Sequence, residues 1–391
     1  VLLALWPGPS AGAEDVAALA IPNAGFERTQ ELPAGEYACH FEGWLFKVRR
    51  GAYDHAPGEG PDGTTAARVW CIGEAGRADL LGPLLELPPF SAFRVSVRVR
   101  QRGATGLVAV HPTYRRRQTD LALVPSTEDG WQRFETTLRT GAASERHRFT
   151  LGVVGDGAVE FDDLRVVPLG PAPPPGGTVV ILDTNGRKPT WQEPDPFWLE
   201  DELRTIWGYE VVVINHVEFD STALERLEPR FVVIMPFVSD HEPEGGAEAR
   251  ARGKREVARW IRDTHVPILG ICLGHQVLGR ALGGRMMRTR EWGDVVLRHA
   301  VADPIFDGLA ATWPCSQSHR FALRQVPEAF SLLASSDTCA VQVIKRRDRL
   351  HYGIQGHIER GWATATPHGR VILGNFVRLA EEASTVRAER R

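Results

Sequence analysis

Beyond its apolar first few residues, no segment of this chain approaches the ~18 apolar residues that a membrane-crossing helix needs. The five cysteines, Cys39, Cys71, Cys272, Cys315 and Cys339, form no C-x-x-C pair. Zinc-ribbon and redox-pair readings therefore lack support. The formal net charge is only -3, so composition makes no case for nucleic acid or an anionic membrane as partner. No G-x-x-x-x-G-K-[ST] phosphate loop is present. The densest basic run, Lys345-Arg346-Arg347-Asp348-Arg349, lies between two apolar runs and reads as a solvated hairpin tip.

What is present is a chain of 391 residues with an ordinary apolar share of 43%. That length exceeds what one core usually serves, so two domains are expected. The start, Val1-Leu-Leu-Ala-Leu-Trp6, then Pro7-Gly-Pro-Ser10 and Ala11-Gly12-Ala13, has the shape of a signal-peptide tail over residues 1–19. Export to the periplasm or outside the cell is the matching expectation, with a cytoplasmic location as the other. In an exported protein Cys39 and Cys71 are candidates to pair; burial as small apolar side chains is the other reading, and also the one for Cys315 and Cys339.

The two halves differ in rhythm. In residues 20–168, Phe93-Arg-Val95-Ser-Val97-Arg-Val99 alternates apolar and polar, as do the stretches around Leu107–Val110, Trp131–Leu138, Phe149–Val153 and Val159–Val167. Period two means strands with one buried face; several short strands with turns between them predict an antiparallel β-sandwich. The stretch Val167-Pro-Leu-Gly-Pro-Ala-Pro-Pro-Pro-Gly-Gly-Thr178 predicts a stiff linker, placed at 169–177. Beyond it, over 178–384, Thr178–Leu182, Glu210–Ile214, Phe231–Ile234 and Pro267–Leu269 are continuous apolar runs, the pattern of parallel strands buried on both faces. Helical stretches separate them, at Phe197–Trp207 and at Ala247–Thr264 with Val257, Trp260 and Ile261 at core spacing. Strand and helix alternate, which predicts an α/β sheet, followed by a short tail at 385–391.

The chemistry concentrates at Gly270-Ile-Cys272-Leu-Gly274. A nucleophile on a sharp strand-to-helix turn is exposed, and flanking glycines admit close backbone approach. The helix N-terminus favours the thiolate of Cys272. The N–H of Leu273 can face a developing oxyanion. His357 and Glu359, in Gly353-Ile-Gln-Gly-His-Ile-Glu359, follow an apolar strand; two-residue spacing lets the carboxylate hold the imidazole. His275 reads as helix surface or pocket wall. His265, His299 and His351 read as ordinary histidines, and His357 with Glu359 alone makes a weak metal pair.

Gly270-Ile-Cys-Leu-Gly-His-Gln276 with Gly353-Ile-Gln-Gly-His-Ile-Glu359 is similar to the class I glutamine amidotransferases. The resemblance covers nearly all of the second half, and Ser318-His319 and Gly369-Arg-Val-Ile-Leu-Gly-Asn375-Phe376 add to it. It implies a flavodoxin-like α/β domain, with Cys272 as nucleophile, His357 as base then acid, and Glu359 as orienter. It also implies a glutamine pocket lined by Gln276, Ser318 and His319, and a small amide or γ-glutamyl substrate. Residues 20–168 resemble jelly-roll, galactose-binding-like carbohydrate-binding modules, through Ile21-Pro-Asn23-Ala-Gly25-Phe26-Glu27, Trp44, Gly130-Trp131-Gln-Arg-Phe134 and Val159-Glu-Phe161-Asp162-Asp163-Leu164. That resemblance implies a glycan or cell-surface ligand and a place for a structural calcium; no other metal or cofactor is expected.

The sequence departs from the amidotransferase pattern where the family carries S-G-G-P. Here it reads Ile234-Met235-Pro236-Phe237-Val238. Pro236 has no N–H, which leaves Phe237 as the second oxyanion donor; losing one such donor costs about 10²-fold in rate. No synthetase segment is evident. The resulting expectation is an amide hydrolase tethered to a binding sandwich. The alternatives are an inactive binding protein of the same fold, and a glutaminase subunit serving a separate synthetase.

Overall fold

The computed structural model describes residues 17–389, except 33–34, 36, 72–75, 113–119, 126–129, 142–145, 173–175, 185–196, 236–245 and 361–366. Most of the stretch read as a signal-peptide tail lies outside the described residues.

The first half builds two antiparallel sheets from β1 (Leu45–Arg50), β2 (Tyr53–Glu59), β3 (Thr65–Cys71), β4 (Arg77–Leu81), β5 (Leu85–Glu86), β6 (Ser91–Arg102), β7 (Thr105–Pro112), β8 (Asp120–Leu123), β9 (Gln132–Arg139), β10 (Arg146–Val154) and β11 (Ala158–Pro171). One sheet runs β1-β4-β10-β7-β8 with β5 on β10, and the other β2-β3-β11-β6-β9. The alternation of β6 puts Phe93, Val95, Val97 and Val99 into a core shared by both sheets, with Phe26, Phe41, Trp44, Phe149 and Phe161. Cys39 and Cys71 form no disulfide. Cys39 is buried, and Cys71 Sγ lies 3.4 Å from Asp156 Oδ1.

The linker begins later than its composition predicts. β11 continues through Pro168 to Pro171, paired with Ser91, Ala92 and Phe93 of β6 across a bulge. Its other neighbour, β3, stops at the Phe161–Ala67 pair. Leu19 and Ala24 bond that edge at Val166 and Leu164, and no described residue bonds it at Pro168 or Pro171, where a missing N–H costs no ladder bond.

The second half is one nine-stranded sheet with helices on both faces. Its elements are β12 (Thr178–Asp183), α1 (Phe197–Thr205), β13 (Glu210–Asn215), α2 (Ser221–Arg226), β14 (Val232–Met235), α3 (Gly246–Asp263), β15 (Ile268–Ile271), α4 (Leu273–Ala281), β16 (Met286–His299), β17 (Thr312–Leu323), β18 (Phe330–Ser335), β19 (Val343–Arg346), β20 (His351–Ile354) and α5 (His368–Glu389). Strand order is β13-β12-β14-β15-β20-β19-β18-β16-β17. The first five are parallel and the rest antiparallel. Val257, Trp260 and Ile261 of α3 and Leu278 of α4 cover one face, while Leu203 of α1 and Ile372, Phe376 and Val377 of α5 cover the other. The two halves meet where Leu309 and Val371 pack on Leu107, Ala109, Leu123 and Val154.

The basic run is not a solvated tip. It does turn between β19 and β20, but Arg346 is buried and donates to the carbonyls of Ile261 and Arg262, while Arg349 donates to that of Thr264. These are the open carbonyls at the C-terminus of α3, where a helix favours cations. The sequence pattern showed the charges but not the helix end they cap.

Candidate active site

Three parallel strands, β14, β15 and β20, end at one edge of the sheet, and β15 turns there directly into α4. Cys272 sits on that turn with φ 51° and ψ -103°, a backbone conformation that costs a non-glycine residue about 1–3 kcal/mol. Its N–H is tied to the carbonyl of Ile354 at 2.8 Å, and its own carbonyl accepts from Gln276 N–H at 3.2 Å. Glycines make the turn sterically feasible: a Cβ on Gly274 would lie 1.7 Å from the Ile234 carbonyl oxygen, and one on Gly270 2.7 Å from Gly274. Leu273 is the first residue of α4, where N–H groups lack intrahelical acceptors.

The chain leaving β20 brings the partners. His357 N–H donates to the Ser316 carbonyl at 2.8 Å, and a short 3-10 turn, Ile358–Arg360, holds Glu359 beside it. His357 Nδ1 and Glu359 Oε1 are 2.5 Å apart, both side chains nearly buried. Burial works against a charge on His357, but Glu359 and then the Cys272 sulfur overcome it and raise its pKa to about 10. Glu359 is pushed up by burial, yet His357 and Arg360 hold it below the usual carboxylate range. Its second oxygen, Oε2, is buried without a hydrogen bond.

Gln355, for which the sequence motif alone indicates no role, completes the corner. Its Nε2 donates to Cys272 Sγ at 3.8 Å and its Oε1 accepts from Gln276 Nε2 at 3.2 Å. Gln276 also donates to the Phe321 carbonyl at 2.8 Å. The signal was in the motif, two residues before His357, but strand parity alone could not say that its amide faces the sulfur.

Of the residues expected to line a glutamine pocket, Gln276 is at the corner and Ser318 is half-buried on β17. His319 is instead drawn into a second buried cluster: its Nε2 lies 3.0 Å from Glu291 Oε2 on β16. Glu291 further accepts from Ser336 and Gln342 at 2.5 Å each, and from Thr338. Burial raises the carboxyl of Glu291, but these donors, His319 first, bring it down to about 2. His275 is neither helix surface nor pocket wall. It is fully buried, and burial lowers its pKa to about 4 against the nearby backbone of Gly353 and Val341. Phe237, the expected second oxyanion donor, lies outside the described residues, as does Pro236. In the first half, Asp162 accepts from Thr64, and Asp163 pairs with Arg133 and Arg165.

Residues 199–380 match the family model for glutamine amidotransferase class-I. A glutamine-hydrolysing GMP synthase subunit from Pyrococcus furiosus is 36% identical over 207 residues, covering 52% of this chain and 99% of that protein. Its counterpart from Methanobrevibacter smithii is 33% identical over 140 residues, covering 35% of this chain and 71% of that one. With two Methanococcus proteins of the same name the matched stretch spans only 61% and 60% of their length. A solved structure from Thermoplasma acidophilum, described as that of a GMP synthase subunit, is 24% identical and covers 55% of this chain and 98% of that one, with a TM-score of 0.43. The chain belongs to the class I glutamine amidotransferases through its second half.

Proposed function

We propose that this protein hydrolyses the γ-amide of glutamine or of a γ-glutamyl compound, with Cys272 as nucleophile, His357 as proton carrier and Glu359 as its orienting carboxylate. The observation that carries the reading is the convergence of a strained Cys272, a buried His357 whose charged form the Cys272 sulfur favours, and Glu359 at 2.5 Å from its Nδ1.

In this reading the proton of Cys272 passes to His357 and the sulfur attacks the amide carbon. The tetrahedral oxyanion faces the Leu273 N–H, with Phe237 N–H as the second donor. His357 then returns its proton to the leaving nitrogen, ammonia departs, and a γ-glutamyl thioester remains. Water, deprotonated by His357, attacks the thioester; the thiolate leaves and recovers the proton, and glutamate is released. Gln276 and Ser318 bound the substrate's glutamyl part. Ammonia release from glutamine and from γ-glutamyl peptides, compared with Cys272→Ala, tests this; equal rates for the two proteins would contradict it.

The names of the relatives favour a second reading, in which the ammonia is handed to a separate synthetase. An added synthetase subunit would then raise glutaminase turnover, and hydrolysis of γ-glutamyl peptides would be poor. For the first half we propose a glycan-binding role in an exported protein. Arg68 over Trp70 and Arg100 over Trp131 place aromatic and charged groups on one sheet, a surface suited to sugar stacking. A glycan array probed with the full chain, which stays blank if the role is wrong, tests it.

A further inference from the structure

The Glu291 cluster holds a set of atoms that hydrogen bonding alone does not account for. Glu291, His319 and Cys339 each present one ligand atom, and these atoms lie within 4.8 Å of one another, with all three residues buried. They come from three places: β16, β17 and the turn between β18 and β19. Glu291 is a buried carboxylate whose only ion-pair partner among the described residues is a histidine. Four donors hold that carboxylate in its charged form, ready to face a cation, and no Lys or Arg among the described residues pairs with it. Among the described residues His319 Nδ1 is buried with no hydrogen-bond partner. Cys339 has only the carbonyl of Val341, at 3.7 Å, for its thiol.

We propose that Glu291, His319 and Cys339 bind a divalent, borderline-soft cation of the zinc type. The nitrogen, oxygen and sulfur set suits such an ion, whose bonds of about 2.0–2.3 Å need ligand atoms roughly 3.3–3.8 Å apart. His319 Nε2 and Glu291 Oε2, 3.0 Å apart, would open slightly and the Cys339 sulfur would draw in to supply that geometry. The ion's charge offsets that of Glu291 and of the Cys339 thiolate, whose proton is released on binding. No C-x-x-C spacing announces the site because its ligands are separated in sequence and joined only by strand pairing.

The ion clips the β16–β17 arm to the rest of the sheet. Gln342, which donates to Glu291, also accepts the backbone N–H of Gln355 through its carbonyl at 2.8 Å. The clip thus stands one residue contact from the amide that faces Cys272, and it does not depend on the hydrolytic reading.

The test is metal analysis of the full chain after zinc loading and gel filtration, with the same measurement on Cys339→Ser and Cys272→Ser. The expected result is about one zinc per chain in the native protein and in Cys272→Ser, and at least a tenfold loss in Cys339→Ser. Cobalt loading provides a reading that needs no variant: a thiolate-to-cobalt charge-transfer band is expected in the native protein. Less than a tenth of an equivalent of zinc, undiminished zinc in Cys339→Ser, or cobalt binding without that band would each overturn the proposal.

Discussion

Two buried histidine–carboxylate pairs lie in the same domain in different surroundings. At the strand edge, His357 and Glu359 stand 2.5 Å apart, with Glu359 Oε2 left without a partner and the other side of the ring turned to Cys272. Behind it, Glu291 is 3.0 Å from His319 and is surrounded by further donors from Ser336, Thr338 and Gln342. On the proposed function, the same pair of side chains serves turnover in one place and packing in the other. The difference lies in the third group: a strained thiol in the first, neutral donors and a buried Cys339 in the second. A carboxylate tied by several fixed donors is held in place, whereas Glu359, which meets His357 and, at 3.9 Å, Arg360, can stabilise a charge on the ring that comes and goes.

Exchanging single residues should separate the two pairs, most sharply at the sulfur. Cys272→Ala is expected to lower ammonia release by about 10⁶-fold, as for loss of other covalent nucleophiles, with circular dichroism and melting curve unchanged. Glu359→Gln keeps the shape but loses the charge. It should cost about 10⁴-fold in kcat, and its KM for glutamine should stay within a small factor of native. Gln355→Ala, which leaves Cys272 and Gln276 without their shared amide, should cost on the order of 10²-fold, comparable to the loss of one polar transition-state contact. Glu291→Gln is the reverse case. Stability should fall by about 3–5 kcal/mol, the usual penalty for breaking a buried pair, as read by denaturant unfolding, while kcat falls less than tenfold. A Glu291→Gln protein that stays as stable as native but loses turnover would erase the distinction between the two pairs.

The pH dependence of stability follows from the same pairs. His357 is raised to about 10, above its ordinary value. Its protonated form therefore contributes stability in full below pH ~6.5, and that contribution is lost as pH rises through about 10. Glu291 is depressed to about 2, so its contribution is present above its ordinary value near 4.5 and lost as pH falls toward 2. The stability difference between native protein and His357→Gln should shrink on the alkaline side, and that between native and Glu291→Gln on the acid side. These are opposite limbs, which unfolding titrations at several pH values can resolve.

Much of the second half is readable because its central strands β12, β14 and β15 are buried on both faces and appear as unbroken apolar runs, as does the half-buried edge strand β13. The strand-to-helix junction at Cys272 was readable for a related reason, since the glycines at 270 and 274 are required by contacts of 1.7–2.7 Å. The β16–β17 arm was not. Over its fourteen residues β16 buries only Glu291 and Leu297, so no hydrophobic period marks it. Its partners supply the pairing, and its outward side chains, Met287, Trp292 and Val296, are exposed. His319 was misplaced because adjacency to Ser318 says nothing about which side of a twisted ribbon faces the substrate. Arg346 was misread because the helix end it caps is more than eighty residues away. In the first half, alternation revealed the strands, but the continuation of β11 through Pro168 depended on where its neighbour ended.

Amide turnover at the Cys272 corner is the claim on which the rest depends. Its most direct measurement is ammonia released per chain from glutamine by the full-length protein beside Cys272→Ala. Many turnovers are predicted for the native protein and none above background for the variant. Native protein indistinguishable from the variant on glutamine and on γ-glutamyl amides alike would contradict it.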